Sequence, residues 1–210
     1  MKQIQVLVAT MHQSDFSLVE KMNITCDAIL ANQTDHNAVS EQVYPFGTVR
    51  MISTDTRGVG INRNTALDAA EAEFVLFADD DVTYADGMPE RLLSEFAAHP
   101  DADVLIFGID YTKNGVVIER RRPGSRRRHL WNAMRFGAAV TAVRLRAVRD
   151  AGIRFSPYFG GGCLYCAGED TLFLRDCLRS GRKVYSTDAV LGTCRKDTST
   201  WFTGCNEKYF

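Results

Sequence analysis

The amino-acid sequence predicts an α/β fold built on a doubly wound, mainly parallel central sheet flanked by helices. Short apolar runs alternate with helical patterns through the first half of the chain. One of these runs, residues 74–77, contains no polar side chain, which is typical of a strand buried on both faces of a sheet. With 210 residues, the chain is long enough for one large domain with a substantial core.

The first half predicts alternating strands and helices. Strands are expected where short aliphatic or aromatic runs are followed by polar residues, and residues 32–35 are such a polar cluster, typical of a turn. Helices are expected where apolar side chains recur every three or four positions. The predicted strands are residues 4–9, 27–31, 49–53 and 74–77, and the predicted helices are residues 16–22 and 61–72.

The remainder of the chain, from residue 89 onward, predicts further elements and one basic segment. Gly181 is expected to end a helix, because glycine readily adopts the left-handed conformation found there. The polar residues from Asp188 onward give no clear pattern. The predicted helices are residues 89–98, 146–151 and 171–180, and the predicted strands are residues 104–108, 116–118, 138–143 and 183–186.

Three consecutive acids, Asp79, Asp80 and Asp81, end the apolar strand. Ligands of open α/β sheets bind at the carboxyl ends of the strands, so these acids are expected at the mouth of a site. Side chains at i and i+2 of an extended segment point the same way, so Asp79 and Asp81 suit one Mg²⁺ or Mn²⁺ that also binds phosphate oxygens. The alternative is a solvated turn whose acids cap the following helix.

Residues 57–67 and 74–82 resemble the nucleotide-sugar half of the inverting family-two glycosyltransferases of the GT-A fold. The shared features are a glycine-containing loop, the Arg63-Asn64 pair on a helix and the Asp-x-Asp strand end, in this order. Residues 160–162 and 168–173 resemble the acceptor-side Glu-Asp motif of that family. The resemblance implies a single GT-A-like domain over residues 1–210. Its nucleotide-sugar-binding half is expected at about 1–108 and its acceptor-binding half at about 109–210.

The resemblance also implies roles for the acids. Asp79 is expected to contact the nucleotide, and Asp81, with Asp79, to bind the metal ion, Mn²⁺ or Mg²⁺. Asp80 occupies the variable middle position beside the nucleotide. Asp170 would be the catalytic base, with Glu169 orienting the acceptor; the alternative for these two acids is stabilisation of the first turn of a helix.

The sequence departs from the family pattern after the second strand. Where many members have a pair of aspartates, this chain has Asn32 and Asp35, which are the candidates for contact with the nucleobase. Thr10 either faces the base or belongs to a polar turn. Arg63 is expected to reach a phosphate or an acid of the site, or else to lie on the helix surface. No histidine follows Asp170 as a third metal ligand, so metal coordination would depend on Asp81, the diphosphate and water.

The segment from Arg120 to Arg128 carries six arginines. It is predicted to lie near a lipid-linked diphosphate or an anionic membrane surface, where each basic residue contributes about 1 kcal/mol. The alternative is a solvated loop. Nucleic acid is disfavoured, because the net charge is −1 and no aromatic residues interleave with the arginines.

Six cysteines occur in a chain without a secretory start or an apolar membrane-spanning run. They are predicted to be reduced thiols. The protein is predicted to be cytoplasmic, either unattached to a membrane or attached peripherally. Cys163 and Cys166 have the spacing of a zinc-binding pair, but the other cysteines are single and widely spaced, which disfavours a structural zinc site.

Together these features predict a metal-dependent inverting glycosyltransferase that uses a nucleotide-sugar donor, expected to be a UDP-sugar, and a saccharide or lipid-linked acceptor. The alternative is a non-catalytic nucleotide-sugar or metal-binding module that binds a partner through its basic loop. A nucleotidyltransferase is disfavoured, because residues 10–15 lack the glycine-rich phosphate loop expected after the first strand.

Overall fold

A computed structural model of the chain describes residues 2–196. Within that range an eleven-stranded sheet runs in the order β3-β4-β2-β1-β5-β10-β7-β11-β6, with β8 paired to β7 and β9 paired to β11. The strands are β1 (Ile4–Met11), β2 (Asp27–Gln33), β3 (Ala38–Tyr44), β4 (Gly47–Thr54), β5 (Phe74–Asp79), β6 (Val82–Tyr84), β7 (Val104–Lys113), β8 (Val116–Arg121), β9 (Arg126–Arg127), β10 (Thr141–Arg144) and β11 (Val184–Arg195).

Helices cover both faces of the sheet and enclose two apolar core clusters. The helices are α1 (Ser17–Lys21), α2 (Val59–Ala69), α3 (Met88–Ala98), α4 (Leu130–Ala133), α5 (Leu145–Asp150) and α6 (Glu169–Arg179), with a 3-10 helix at Ala138–Val140. Phe77, on β5, packs edge-on against Phe155 and Phe173 in one of these clusters. That contact holds α6 and the loop before it against the middle of the sheet.

The sheet is parallel where the first half of the sequence predicted it. Strands β4, β2, β1 and β5 are parallel neighbours, so their carboxyl ends lie at one edge. The register places Thr10 of β1 opposite Asn32 of β2, and Ala9 opposite Asp79 of β5. The strand register therefore places these polar residues at the same edge of the sheet, as the sequence predicted.

Beyond β5 the sheet is mixed. Strand β10 runs antiparallel to both β5 and β7, whereas β7 and β11 are parallel. Parallel pairing in this half is therefore limited to β7 and β11, and the remaining pairs are antiparallel. A run of apolar residues identifies a buried strand but not its direction, which is why the sequence predicted a more uniformly parallel sheet.

Several elements differ from the sequence expectation. Strand β3 was not predicted, because six of its seven residues are exposed and show no apolar alternation. The predicted basic loop is partly strand, since β8 extends to Arg121 and β9 pairs with β11. Strand β11 continues to Arg195, through a segment in which polar residues and shifts of register interrupt the strand pattern. Residues 138–143 begin as a 3-10 helix and only then become β10.

Within residues 2–196, no helix has both the length and the apolar character that crossing a membrane requires. None of the five cysteines in this range forms a disulfide. Cys205 lies outside the described residues.

Candidate active site

The amino end of α2 is fixed to the carboxyl edge of the sheet by buried amide side chains. Asn62 donates to the backbone carbonyls of Thr10 at 3.1 Å and Ala31 at 2.8 Å, which ties the helix to the ends of β1 and β2. Asn64 exchanges two 2.9 Å hydrogen bonds with the backbone of Phe155. The asparagines on either side of Arg63 thus fix its position from two directions.

Arg63 binds three carboxylates from two parts of the fold. Its Nη2 donates to Asp79 Oδ1 at 2.8 Å, and its Nη1 donates to Asp170 Oδ1 at 2.7 Å and Glu169 Oε1 at 3.1 Å. Only 4% of the Arg63 side chain is exposed. Its guanidinium carbon lies 5.3 Å from the centroid of the Phe155 ring. The sequence analysis expected Arg63 to contact a phosphate or an acid of the site, or to lie on the helix surface. In the structure Arg63 contacts acids.

The charge of Arg63 is maintained by these acids. Burial alone would lower the pKa of Arg63, but the carboxylates of Asp79, Asp170 and Glu169 outweigh burial and raise it above its ordinary value. Arg63 therefore remains a cation and joins the end of β5 to the start of α6. This is a structural link between the two halves in which the sequence placed the donor and acceptor functions.

Two glycines allow the first turn of α6 to approach α2. Gly168 precedes the helix with φ of +113°, and Gly160 has φ of +106°. A Cβ at Gly160 would lie 2.5 Å from Val59 Cγ1 and 2.8 Å from Glu169 Cδ. The backbone N–H of Val59 donates to Gly161 at 2.9 Å, so the glycine loop packs directly on the start of α2. A side chain at Gly160 would displace Glu169.

A cavity of about 340 Å³ opens over these acids. Thr171 donates to the carbonyl of Met134 at 2.9 Å, which holds the segment after α4 over the first turn of α6. This segment forms one wall of the cavity, and the glycine loop with the start of α6 forms another. The lining residues are Val59, Arg63, Asp79, Met134, Arg135, Phe136, Gly137, Gly161, Cys166, Ala167, Gly168, Glu169, Asp170 and Thr171.

Asp170 is partly buried in the wall of this cavity, and 27% of its side chain is exposed. Burial raises the pKa of Asp170 to about 6. The positive charge of Arg63 opposes this rise, while the negative charges of Glu169 and Asp79 add to it. A carboxylate with such a pKa is ionised near neutral pH and is still a better proton acceptor than an ordinary aspartate.

Thr10 and Asp80 meet at the carboxyl edge of the sheet. Thr10 donates its hydroxyl to Asp80 Oδ2 at 2.6 Å, and Gln13 donates to the Thr10 hydroxyl at 2.9 Å. Asn32 is fully buried, where it accepts from the Gln13 backbone and donates to its carbonyl, both at 2.9 Å. Asn32 thus holds the loop after β1 in place.

Asp35 lies apart from this group. Its side chain is 94% exposed and accepts a 2.8 Å hydrogen bond from the ring of His36. That hydrogen bond lowers the pKa of Asp35. The structure joins Arg63, Asp79, Glu169 and Asp170 in one network, and it places Thr10, Asn32 and Asp80 at the neighbouring strand ends. Asp35 lies in solvent beyond the end of β2.

Asp81 lies beside the end of β11. The strand pairing sets Val82 opposite Cys194, which brings the Cys194 thiol near the Asp81 carboxylate. Burial, and secondly the charge of Asp79, raise the pKa of Asp81 to about 6, although the Cys194 thiol opposes the rise. Burial and the Asp81 charge in turn raise the pKa of Cys194 to about 12.

These surroundings suit a divalent cation beside Asp81. Carboxylate oxygens are the ligands that Mg²⁺ and Mn²⁺ accept, and a cation would offset the repulsion between Asp79 and Asp81. Within residues 2–196, no group of three or more His, Cys, Asp or Glu side chains is arranged to hold a metal ion. A metal at Asp81 therefore fits only if a ligand such as a diphosphate, together with water, completes its coordination.

Sequence reasoning missed several residues of the site. Gln13 and Cys194 contact predicted residues, but only the loop after β1 and the register of β11 bring them there. Arg135 and Phe136 line the cavity from a segment with no periodic pattern. For these residues the sequence contains no signal. The two asparagines flanking Arg63 were visible in the motif, but their anchoring role was not.

A comparison with protein-family models matches residues 29–159, more than half of the chain, to glycosyl transferase family 2. The matched region contains the Arg63 helix and the acids that end β5. The chain belongs to glycosyltransferase family 2. The resemblance stated from the motifs is therefore confirmed by an independent comparison.

Solved structures similar to this family 2 chain include those of TarS from S. aureus. TarS 1–349 in complex with UDP-GlcNAc has a TM-score of 0.71 at 18% identity, covering 97% of this chain and 61% of that chain. TarS 1–349 in complex with UDP has a TM-score of 0.66 at 18% identity, covering 92% and 60%. A further TarS crystal structure has a TM-score of 0.67 at 17% identity, covering 92% and 36%.

At 17–18% identity, the similarity of this chain to the TarS structures shows only that they share a fold. The predicted α/β fold of GT-A type, with a central sheet flanked by helices, is confirmed for this family 2 chain. The chain spans 61% or less of the length of these TarS structures. No curated protein matches the chain.

Proposed function

We propose that the chain transfers a sugar from a nucleotide-sugar donor to an acceptor hydroxyl, with inversion at the anomeric carbon. The observation that supports this proposal most directly is the binding of Asp79, Glu169 and Asp170 by one buried arginine. An inverting transfer needs a nucleotide site and a proton acceptor on opposite sides of one sugar. Arg63 holds the residues expected for both tasks around one cavity.

Asp170 is the proposed general base. It takes the proton from the acceptor hydroxyl as the oxygen attacks the anomeric carbon, and the nucleoside diphosphate leaves from the opposite face. Arg63 Nη1 donates to Asp170 Oδ1 at 2.7 Å and fixes the direction of the carboxylate. Glu169, bound to the other side of Arg63 Nη1, is proposed to orient the acceptor.

The donor is proposed to be a UDP-sugar bound at the carboxyl edge of the sheet. Asp79 and the Thr10–Asp80 pair line this edge. Asn32 holds the adjoining loop after β1 through its hydrogen bond to Gln13. The similar TarS structures contain UDP-GlcNAc and UDP, which supports a uridine donor for this chain. Contact of the exposed Asp35 with the nucleobase remains part of the proposal, although the Asp35 side chain lies outside the main group.

The proposal includes Mn²⁺ or Mg²⁺ held by Asp81 and Asp79. Arg63 binds Asp79 through Oδ1, so Asp79 would bind the metal through Oδ2. Such an ion, when bound with the donor, neutralises the charge that develops on the departing diphosphate. The raised pKa of Asp81 reflects a half-buried carboxylate beside another acid, and a cation would relieve both the burial and the repulsion.

The acceptor is proposed to be a saccharide, free or lipid-linked, and the protein to act in the cytoplasm or at a membrane surface. Tyr158, Leu164 and Tyr165 are exposed on the loop that forms one wall of the cavity, and amphipathic aromatic side chains suit a sugar. Arg126 and Arg127 are exposed in the basic segment and could meet an anionic membrane. Arg128, counted with them in the sequence, is fully buried and has no access to a membrane.

A thermal-shift panel of nucleotide sugars, with and without Mn²⁺, tests the donor proposal. UDP and UDP-sugars are expected to raise the melting temperature only when Mn²⁺ is present. GDP and CDP sugars serve as controls for the base. Stabilisation by no nucleotide at any metal concentration would contradict the proposal.

A further inference from the structure

A second cavity adjoins the candidate active site. Its volume is about 450 Å³, and we name it the arginine cavity after its lining residues, which are Arg120, Arg121, Arg122, Pro123, Arg135 and Phe136. Arg135 and Phe136 also line the cavity above Asp170. The two cavities therefore share a wall at Arg135 and Phe136.

Two carboxylates form ion pairs with three of the arginines that line this cavity. Asp110 accepts from Arg122 at 2.5 Å and lies 4.0 Å from Arg120. Glu119 pairs with Arg121 at 2.7 Å. The arginines thus outnumber the acids even before Arg135 is considered.

Arg135 adds a cation without a matching acid. Its guanidinium carbon lies 5.3 Å from the centroid of the Phe136 ring. Among the residues that the structure describes, Arg135 has no ion pair. Its position on the shared wall places an uncompensated charge between the two cavities.

A fully buried arginine lies behind the same wall. Arg128 donates to Ser186 Oγ at 2.7 Å and to the carbonyl of Pro123, and its guanidinium carbon is 5.0 Å from the centroid of the Phe136 ring. Its Nη1 is buried and has no hydrogen-bond partner within the described residues. Arg128 lines neither of the two cavities, but its buried guanidinium, which has no carboxylate partner, adds positive charge behind their shared wall.

The guanidinium groups of this region also act on one another. Burial, and then the charges of Arg126 and Arg135, lower the pKa of Arg128. Mutual repulsion of this kind is relieved when an anion binds between the cations. Guanidinium groups bind phosphate oxygens in a forked geometry, which makes phosphate a suitable anion.

We propose that the acceptor carries a phosphate group that binds in the arginine cavity, through Arg122 and Arg135, while the hydroxyl to be glycosylated lies at Asp170. This inference rests on the proposed function, because it places the acceptor hydroxyl at the general base. A concave cavity suits a discrete phosphate better than a flat layer of lipid headgroups. The proposal therefore commits to a phosphorylated saccharide and not to a membrane.

The test measures the binding of inorganic pyrophosphate to the full chain by calorimetry in metal-free buffer. Arg122→Gln and Arg135→Gln are each expected to weaken binding by about tenfold, the loss expected for one charged hydrogen-bonding group. Arg146→Gln is the control, because Arg146 is 89% exposed and pairs with Asp150 outside both cavities. Pyrophosphate affinity that is equal in all four proteins would overturn the proposal.

Two further measurements separate this inference from its alternatives. UDP binding in the presence of Mn²⁺ is expected to be the same in the wild type and in Arg122→Gln. If UDP binds and pyrophosphate does not, the acceptor inference fails while the proposed donor site stands. Vesicles of phosphatidylcholine with phosphatidylglycerol provide the membrane arm. Loss of vesicle binding in Arg135→Gln without loss of pyrophosphate binding would assign the arginines to a membrane and overturn the inference.

Discussion

Arg63 Nη1 lies 2.7 Å from Asp170 Oδ1, although the two residues are 107 positions apart in the chain. The guanidinium also binds Asp79 at the end of β5. One buried cation thus joins the strand end assigned to the donor with the helix assigned to the acceptor. The predictions below follow from this contact and from its surroundings.

Arg63→Met is expected to lower the free energy of unfolding by about 3 kcal/mol or more, because it leaves three neighbouring carboxylates without their buried cation. Urea denaturation measures this change. Arg154→Gln is the matched control, since the Arg154–Asp68 pair is half exposed and should contribute about 1 kcal/mol or less. Equal stability of the two variants would contradict the role given to Arg63.

Gly160→Ala is expected to reduce both stability and turnover. The new Cβ would contact Val59 and Glu169 closely and would occupy a backbone with φ of +106°. Gly152→Ala is the control, because Gly152 also has a positive φ, +63°, but no heavy atom lies within 4 Å of the added Cβ. Both variants should lose melting temperature, whereas only Gly160→Ala should lose activity.

The rate of transfer is expected to rise with pH and to reach half of its plateau near pH 6. Asp170 must be ionised to accept a proton, and burial raises its pKa to about 6. Glu169→Gln should move the midpoint to lower pH, because the Glu169 charge contributes to that rise. A pH profile of kcat/KM for both proteins measures the shift, and a midpoint that moves to higher pH would refute the electrostatic account.

The same pKa has an opposite consequence for stability. An aspartate whose folded pKa is raised binds its proton more tightly in the folded state, so its contribution to stability falls as pH rises from 3.8 toward about 6. Asp170→Asn is therefore expected to be more stable than the wild type at pH 7.5, and this advantage should shrink as the pH falls to 4. Thermal denaturation across this pH range provides the measurement.

Asp81→Asn is expected to abolish the stabilisation by UDP that depends on Mn²⁺. The amide removes the charge that the metal requires, while the hydrogen-bonding shape of the side chain is kept. Asp150→Asn serves as the control, because Asp150 pairs with Arg146 at the surface. Thermal shifts with UDP and Mn²⁺ compare the two variants. Full Mn²⁺-dependent stabilisation of Asp81→Asn would remove Asp81 from the proposed metal site.

The parallel part of the sheet was predictable because its strands are buried on both faces. Residues 74–77 are wholly apolar, and the acids that follow indicate where the strand ends. The exposed strand β3 was not predictable, since its side chains face solvent and carry no period-two pattern. The direction of β10 was equally hidden, because its pairing with β5 and β7 depends on contacts distant in sequence.

The candidate site was predictable residue by residue but not as a network. The motifs supplied Arg63, Asp79, Asp81 and Asp170, whereas the pairing of Arg63 with Asp170 depends on how α2 and α6 pack. The position of Cys194 depends on the register of β11 with β6. Such distances between remote segments are fixed by tertiary packing, which local patterns do not encode.

The most direct test of the central claim is the turnover of Asp170→Asn with a UDP-sugar donor that the wild type uses. The account predicts a loss of at least about a hundredfold in kcat, with UDP binding unchanged, because only the proton acceptor is removed. Asp176→Asn, on the same helix and paired with Arg175 at the surface, should retain wild-type turnover. Wild-type turnover in Asp170→Asn would contradict the assignment of Asp170 as the catalytic base.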